Sequence, residues 1–328
     1  MSTSPVRVGA IDCGTNSIRL LVADIDPQTR AVTDLLRRME IVRLGHGVDK
    51  TGVLAPEALA RTLAMTREYA AQCHELGVHR LRFVATSASR DARNAGDFVA
   101  GVRTAFHDQV PGLGAVEPEV VSGDEEARLS FLGATGDLVA RGIPGPYLVV
   151  DIGGGSTELV RGTTSVQAAR SVDIGCVRMT ERHLVDDPPS AAQIAAATAD
   201  IDAAIDVAAA AVDIAPARTL VGLAGSITTI TAHLLALPVY DADAIHLSRA
   251  TPARTQAVCA ELLAMPRAQR AAQGYMHPGR VDVIGAGALV WSRVVERARA
   301  DTGLGEALPV YTSEHDILDG IALSLVVG

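Results

Sequence analysis

The sequence predicts an α/β protein of two domains, and three observations point to it. Strands and helices alternate along the chain. Its 328 residues, at about 150 per domain, hold two cores. One strand–turn–strand pattern occurs twice. Asp12-Cys-Gly-Thr-Asn-Ser17-Ile-Arg19 follows an apolar strand, and Asp151-Ile-Gly-Gly-Gly-Ser156-Thr-Glu158 does the same 139 residues later.

The elements follow in order. Residues 6–11 and 18–25 read as strands flanking a polar turn, with a third strand within 31–44. Residues 56–76 carry apolar groups at helical spacing, and Pro56 suits a first turn. Residues 82–85 form a short buried strand, 97–107 a helix and 118–121 a strand. Ser122 then opens a helix to about residue 140. Residues 147–151 and 157–161 repeat the strand–turn–strand unit, and the Ala-rich stretch 190–214 is helical. A strand at 219–223 precedes helices near 226–236, 253–264 and 279–299. A last strand at 308–312 leads into a terminal helix.

Hydrophobic residues make up 48% and charged residues 20%, the mix of a folded soluble protein. Lys plus Arg is 29 and Asp plus Glu is 38, a net charge of −9, which excludes a generally basic nucleic-acid binder. Four Phe, five Tyr and one Trp are too few for a base-stacking platform. No apolar run approaches the roughly 20 residues of a membrane helix, and the N-terminus runs straight into a strand pattern, so neither a membrane span nor a signal peptide is expected. Cys13, Cys73, Cys176 and Cys259 lack C-x-x-C spacing. That argues against zinc and a disulfide framework and suits a cytoplasmic protein.

The two turns align position for position: Asp12 with Asp151, Gly14 with Gly153, Ser17 with Ser156 and Arg19 with Glu158. Each places a carboxylate at a strand end beside small and hydroxylated residues. Such a turn exposes backbone N–H groups and hydroxyls that cradle phosphate oxygens. A carboxylate there repels phosphate unless a cation such as Mg²⁺ intervenes. One Gly-rich turn is an ordinary structural feature; two matched copies favour a phosphate clamp built from both domains.

Other stretches leave alternatives open. Ala85-Thr-Ser-Ala-Ser-Arg90 offers hydroxyls and a fork-shaped cation to phosphate, or a helix cap followed by a surface arginine. Ser122-Gly-Asp-Glu125 has capping-box spacing. Glu126, about 100° further round, reads from spacing alone as a solvated first-turn carboxylate. Gly222-Leu-Ala-Gly225-Ser-Ile-Thr-Thr229 is a phosphate or ribose contact, or tight packing. His315-Asp316 invites a metallophosphatase reading but shows no companion ligands in the sequence, so Ser313 and Asp316 read as a helix cap.

Together, Ile11–Leu21, Ala85–Arg90, Ser122–Leu129 and Val150–Leu159 resemble the exopolyphosphatase / guanosine pentaphosphate phosphohydrolase (Ppx/GppA) family. Gly222–Thr229 and Gly279–Leu289 are similar to its later motifs. Order and spacing match from residue 6 to the C-terminus, closest to short two-domain actinobacterial exopolyphosphatases. The resemblance implies two actin-like ATPase (ribonuclease H-like) domains of five strands each, with an interdomain cleft. Domain I would be 1–122 plus a C-terminal helix at about 313–328, and domain II 123–312. Longer relatives carry further helical domains that this sequence lacks, from which weak processivity and a preference for shorter polyphosphate are expected.

The family's catalytic glutamate matches Glu126. Its metal positions match Asp151 and Glu158, with Asp12 as a further metal-linked carboxylate for Mg²⁺ or Mn²⁺. Substrate contacts match Gly14, Thr15, Asn16, Ser17, Arg90, Gly153, Gly154, Gly155 and Ser156, and Arg19 sits where a substrate-facing arginine is plausible. One departure stands out: Leu318 replaces an arginine common in the family's C-terminal motif.

The reaction implied is hydrolysis of a terminal phosphoanhydride of inorganic polyphosphate, and also of the 5′-γ phosphate of guanosine pentaphosphate. Such chemistry asks the protein to position the chain, offset charge and orient water. Nucleic acid and membrane are not expected partners; a homodimer is compatible with the resemblance. The rival readings are a polyphosphate or nucleotide kinase of the same fold and a non-enzymatic sensor of guanosine tetra- or pentaphosphate.

Overall fold

The computed structural model describes residues 4–110 and 116–326. The chain divides into two compact units, one of 1–133 with 317–328 and the other of 134–316.

The first unit holds a five-stranded sheet. β1 (Val6–Cys13), β2 (Ser17–Ile25), β3 (Val32–Ile41), β4 (Arg80–Ala85) and β5 (Pro118–Val120) lie in the order β3-β2-β1-β4-β5. β1 pairs antiparallel with β2 and parallel with β4. The second unit repeats this frame with β6 (Tyr147–Ile152), β7 (Thr157–Gly162), β8 (Val166–Val172), β9 (Thr219–Leu223), β10 (Arg249–Ala250) and β11 (Val310–Thr312), in the order β10-β11-β9-β6-β7-β8. The 139-residue offset seen between the turns extends to strand pairing: Asp12 lies opposite Val84 and Asp151 opposite Leu223.

β6 is buried at every position and β1 from Val8 onward, which is why both read as continuous apolar runs. Two strands lie outside the sequence reading. β8 is an outer strand of Val-Gln-Ala-Ala-Arg-Ser-Val, half exposed, so it lacks the apolar alternation that marks a strand. The two-residue β10 adds a sixth strand to the expected five. The helix expected at 279–299 is a 3₁₀ turn, Pro278–Arg280, followed by an α-helix, Ile284–Asp301. Pro56 opens the helix Pro56–Glu75, as its missing N–H favours.

The terminal helix Ile317–Ser324 belongs to the first unit. Ile317, Leu318 and Ile321 pack with Val8, Ala10, Leu21 and Val84, each such side chain contributing about 1.5–3 kcal/mol of transfer free energy. Gly320 is required by close approach, because a Cβ there would strike the carbonyl of Leu129. Leu318, in place of the family arginine, is a core residue; polar ties of this helix include Asp319, which accepts from Arg37 Nη2 at 2.5 Å, and Ser324 Oγ, which accepts from Arg82 Nη1 at 2.9 Å.

Candidate active site

In the first unit the turn after β1 is closed by a hydrogen bond from Gly14 N–H to the Ser17 carbonyl, 2.9 Å. The Thr15 carbonyl accepts from Gly45 N–H at 2.8 Å, and the Asn16 carbonyl from Val42 and Arg43 at 3.1 and 2.8 Å. In a planar trans peptide the N–H points opposite the carbonyl, so the amides of Asn16 and Ser17 face away from these partners. Thr15 Oγ1 meets Ser87 Oγ at 2.8 Å, joining the turn to the Thr86–Arg90 segment. Ser89 Oγ in that segment is buried with no hydrogen-bond partner among the described residues.

Asp12 and Arg19 lie directly opposite each other across β1 and β2. Arg19 Nε and Nη2 both donate to Asp12 Oδ2, at 2.9 and 2.7 Å, and Asp12 is 5% exposed. The residue expected to assist a metal and the residue expected to face substrate are thus each other's partners.

Arg90 and Glu126 also meet. Arg90 Nη1 donates to the Val121 carbonyl at 2.9 Å and to Glu126 Oε2 at 3.1 Å. Glu126 sits in the first turn of the helix Gly123–Ala140 and is buried. Its neighbour Glu125 turns elsewhere. Ser122 Oγ accepts from Glu125 N–H at 3.2 Å, which is half of the expected capping box. The Glu125 carboxylate, however, takes Arg82 Nη2 at 3.1 Å instead of reaching back to the Ser122 amide. Two adjacent carboxylates on one helix therefore serve different partners.

The second unit's turn has the same closure, Gly153 N–H to the Ser156 carbonyl at 3.0 Å. Each of its glycine carbonyls accepts a hydrogen bond. Gly153 accepts from Cys176 N–H, Gly154 from Val177 and Arg178 N–H, and Gly155 from Gly175 N–H at 3.1 Å and from Arg178 Nε at 2.7 Å. By the same peptide geometry the amides of Gly154, Gly155 and Ser156 aim the opposite way, as a set of three donors. Ser156 Oγ is buried and has no hydrogen-bond partner among the described residues, a cost of about 1–3 kcal/mol unless a ligand fills it. Gly175 must lack a side chain because a Cβ would strike the backbone of Gly154.

Asp151 and Glu158 are the cross-strand pair equivalent to Asp12 and Arg19. Both are buried, at 6% and 0% exposure, and Glu158 Oε1 accepts from Ser171 Oγ on β8 at 2.6 Å. Hard oxygen donors beside an amide cradle fit Mg²⁺ or Mn²⁺, which take carboxylates together with phosphate oxygens.

Three features escaped the sequence reading. Arg178 anchors the Gly155 carbonyl. Arg280 lies so close on Gly225 that a Cβ there would strike its guanidinium, and it donates to Thr229 Oγ1 at 3.0 Å. Ala224, at the β9-to-helix junction beside the Asp151 hairpin, has φ +65°, a conformation costly for any residue with a Cβ. The available sequence signal was the Gly222–Thr229 motif itself. The reading of His315 needs correction: it does have companions, Asp137 and His246. Cys13 and Cys176 sit beside the two turns, but burial pushes both thiols above their ordinary range, so neither is a thiolate nucleophile.

Two α/β units of one topology, each with an acid-bearing hairpin, define a protein of the actin-like ATPase fold. The chain belongs to the Ppx/GppA phosphatase family, whose model matches residues 21–304. It is 48% identical over 321 residues to Exopolyphosphatase 2 of Mycobacterium tuberculosis, covering 97% of this chain and 98% of that protein. Among solved structures, an exopolyphosphatase-like protein superposes with a TM-score of 0.92 at 45% identity, covering 98% of each chain. The Aquifex aeolicus PPX-GPPA enzyme is similar at a TM-score of 0.77 and 28% identity, covering 98% of this chain and 99% of that one.

Proposed function

We propose that the chain is a cytoplasmic exopolyphosphatase. It hydrolyses the terminal phosphoanhydride of inorganic polyphosphate, releases orthophosphate, and accepts the 5′-γ phosphate of guanosine pentaphosphate as a second substrate. The observation that carries this reading is the Gly153–Ser156 turn: three amides turned away from its bonded carbonyls, and a buried hydroxyl with no hydrogen-bond partner among the described residues, beside a buried carboxylate pair. The 48% identity to a protein named an exopolyphosphatase supports the substrate. Four free, buried cysteines suit a reducing compartment, and no helix among the described residues is long and apolar enough to cross a membrane.

In this mechanism the amides of Gly154, Gly155 and Ser156 hold phosphate oxygens and stabilise charge that develops on them. Those of Asn16 and Ser17, with Gly14 and Thr15 shaping the turn, do the same in the first unit. Glu126 accepts the proton of the attacking water as its oxygen bonds to the terminal phosphorus. The bridging P–O bond breaks, and the shortened chain departs. Arg90 holds Glu126 in place and offsets phosphate charge, and Arg19 does so beside Asp12. Asp151 and Glu158 would hold a divalent cation, with Asp12 as a further metal-linked carboxylate, and that cation would supply charge neutralisation of the phosphate oxygens.

The test is orthophosphate release from polyphosphates of defined length and from guanosine pentaphosphate, with and without Mg²⁺. Release from polyphosphate that stops in chelator is expected. Tight guanosine pentaphosphate binding without release would instead mark a sensor, and transfer to a nucleotide acceptor a kinase.

A further inference from the structure

Away from the phosphate turns, the second unit brings two histidines and an aspartate together from three separate segments. Asp137 lies on the helix Gly123–Ala140, His246 just after the short helix Ala242–Ile245, and His315 in the loop after β11. His315 Nδ1 lies 2.7 Å and His246 Nε2 3.2 Å from the same oxygen, Asp137 Oδ2. One ligand atom from each residue falls within 4.8 Å of the other two, and the imidazole centroids are 4.6 Å apart.

Sequence distance hides this arrangement, and the loop chemistry builds it. Ser313 Oγ accepts from His315 N–H at 3.1 Å and donates to the His315 carbonyl at 2.8 Å, which fixes the loop that carries the ring. Leu247 N–H donates to the Thr312 carbonyl at 2.7 Å, which ties the His246 segment to the same strand end. Asp137 and His315 each lie close in sequence to a point where the chain passes from one unit to the other.

We propose that Asp137, His246 and His315 form a second metal site, separate from the carboxylate pair, for a first-row divalent transition ion such as Zn²⁺. Two imidazole nitrogens and one carboxylate oxygen favour such an ion over Mg²⁺, which prefers oxygen alone. Three protein ligands leave a coordination position open to water. The His315 and Asp137 side chains are each 42% exposed, so an ion can enter and leave. On loading, each imidazole binds through the nitrogen now facing Asp137, which must carry no proton, so the ring proton sits on the opposite nitrogen. For His246 this gives up a long 3.3 Å contact from the Glu314 amide to Nδ1.

The experiment is Zn²⁺ titration of the full chain in saturating Mg²⁺ by calorimetry, with metal analysis after dialysis. Co²⁺ serves as a visible-absorption probe of nitrogen ligation. One Zn²⁺ per chain is expected, retained in Asp151→Asn. Affinity should fall at least about tenfold in His246→Gln, His315→Gln and Asp137→Asn. His315→Gln changes a half-exposed loop residue, so it keeps the test valid if His246→Gln does not fold. Failure of the unaltered chain to bind Zn²⁺ in Mg²⁺, unchanged affinity in His315→Gln, or loss of the ion in Asp151→Asn would overturn the proposal.

Discussion

The hairpins β1–β2 and β6–β7 share a backbone plan and differ at one decisive position. In the first, Asp12 faces Arg19 and the pair neutralises itself through two bonds to one carboxylate oxygen. In the second, Asp151 faces Glu158, whose Oε1 accepts from the hydroxyl of Ser171. Glu126 follows the first pattern, because Arg90 holds it. Asp12 and Glu126 of the first unit are thus held by arginines, whereas the position of Arg19 is taken in the second unit by a further acid, Glu158. A duplicated frame can divide the work of phosphate chemistry by changing the sign of one side chain.

The largest effect should come from the acid that the first unit holds with an arginine. Glu126→Gln should fold normally, bind polyphosphate and lose at least about 100-fold in turnover, because Gln cannot accept the water's proton. Glu125→Gln, which loses a contact to Arg82, should lose far less activity. Phosphate-release rates for both variants decide the matter; a larger catalytic loss at 125 would sink the assignment.

Breaking the self-neutralised hairpin should cost stability. Asp12→Asn leaves Arg19, 19% exposed, without its carboxylate and should destabilise the chain by about 2–3 kcal/mol in urea denaturation. An unchanged midpoint would show that the two hairpins are not electrostatic opposites.

The second hairpin should respond through metal instead. Glu158→Gln removes one of the two buried carboxylates proposed to hold a divalent cation. The rise in melting temperature on adding Mg²⁺ should shrink with it. Scans in chelator and in Mg²⁺ measure that rise; an unchanged rise would sink the assignment.

The smallest effect is expected at Ser156. Ser156→Ala removes a buried hydroxyl without a hydrogen-bond partner among the described residues and should raise apo stability by up to about 1 kcal/mol, while polyphosphate affinity falls several-fold. Ser17→Ala, measured alongside by the same thermal scan and binding titration, should not gain stability.

Much of the frame was readable in the sequence. Central strands buried on both faces need unbroken apolar runs, and a phosphate turn needs small residues after a strand, so β1, β6 and both hairpins were visible. β8 was not, since an outer strand with Gln167 and Arg170 exposed carries no such constraint. The acids were identifiable by type and place, but their partners were not.

The sequence by itself determined the α/β class, the duplication, the strand-end acids and the turns that expose amides, because these depend on residue type at local spacing. Only the tertiary structure decided that Arg19 belongs to Asp12, that Arg90 meets Glu126, and that Arg178 and Arg280 brace the second unit's turns. It alone brought His315 to His246 and Asp137, which lie 69 and 178 positions earlier in the chain. The reason is physical: local periodicity fixes which face of an element a side chain occupies, but its charge partner depends on strand register and loop packing between distant segments.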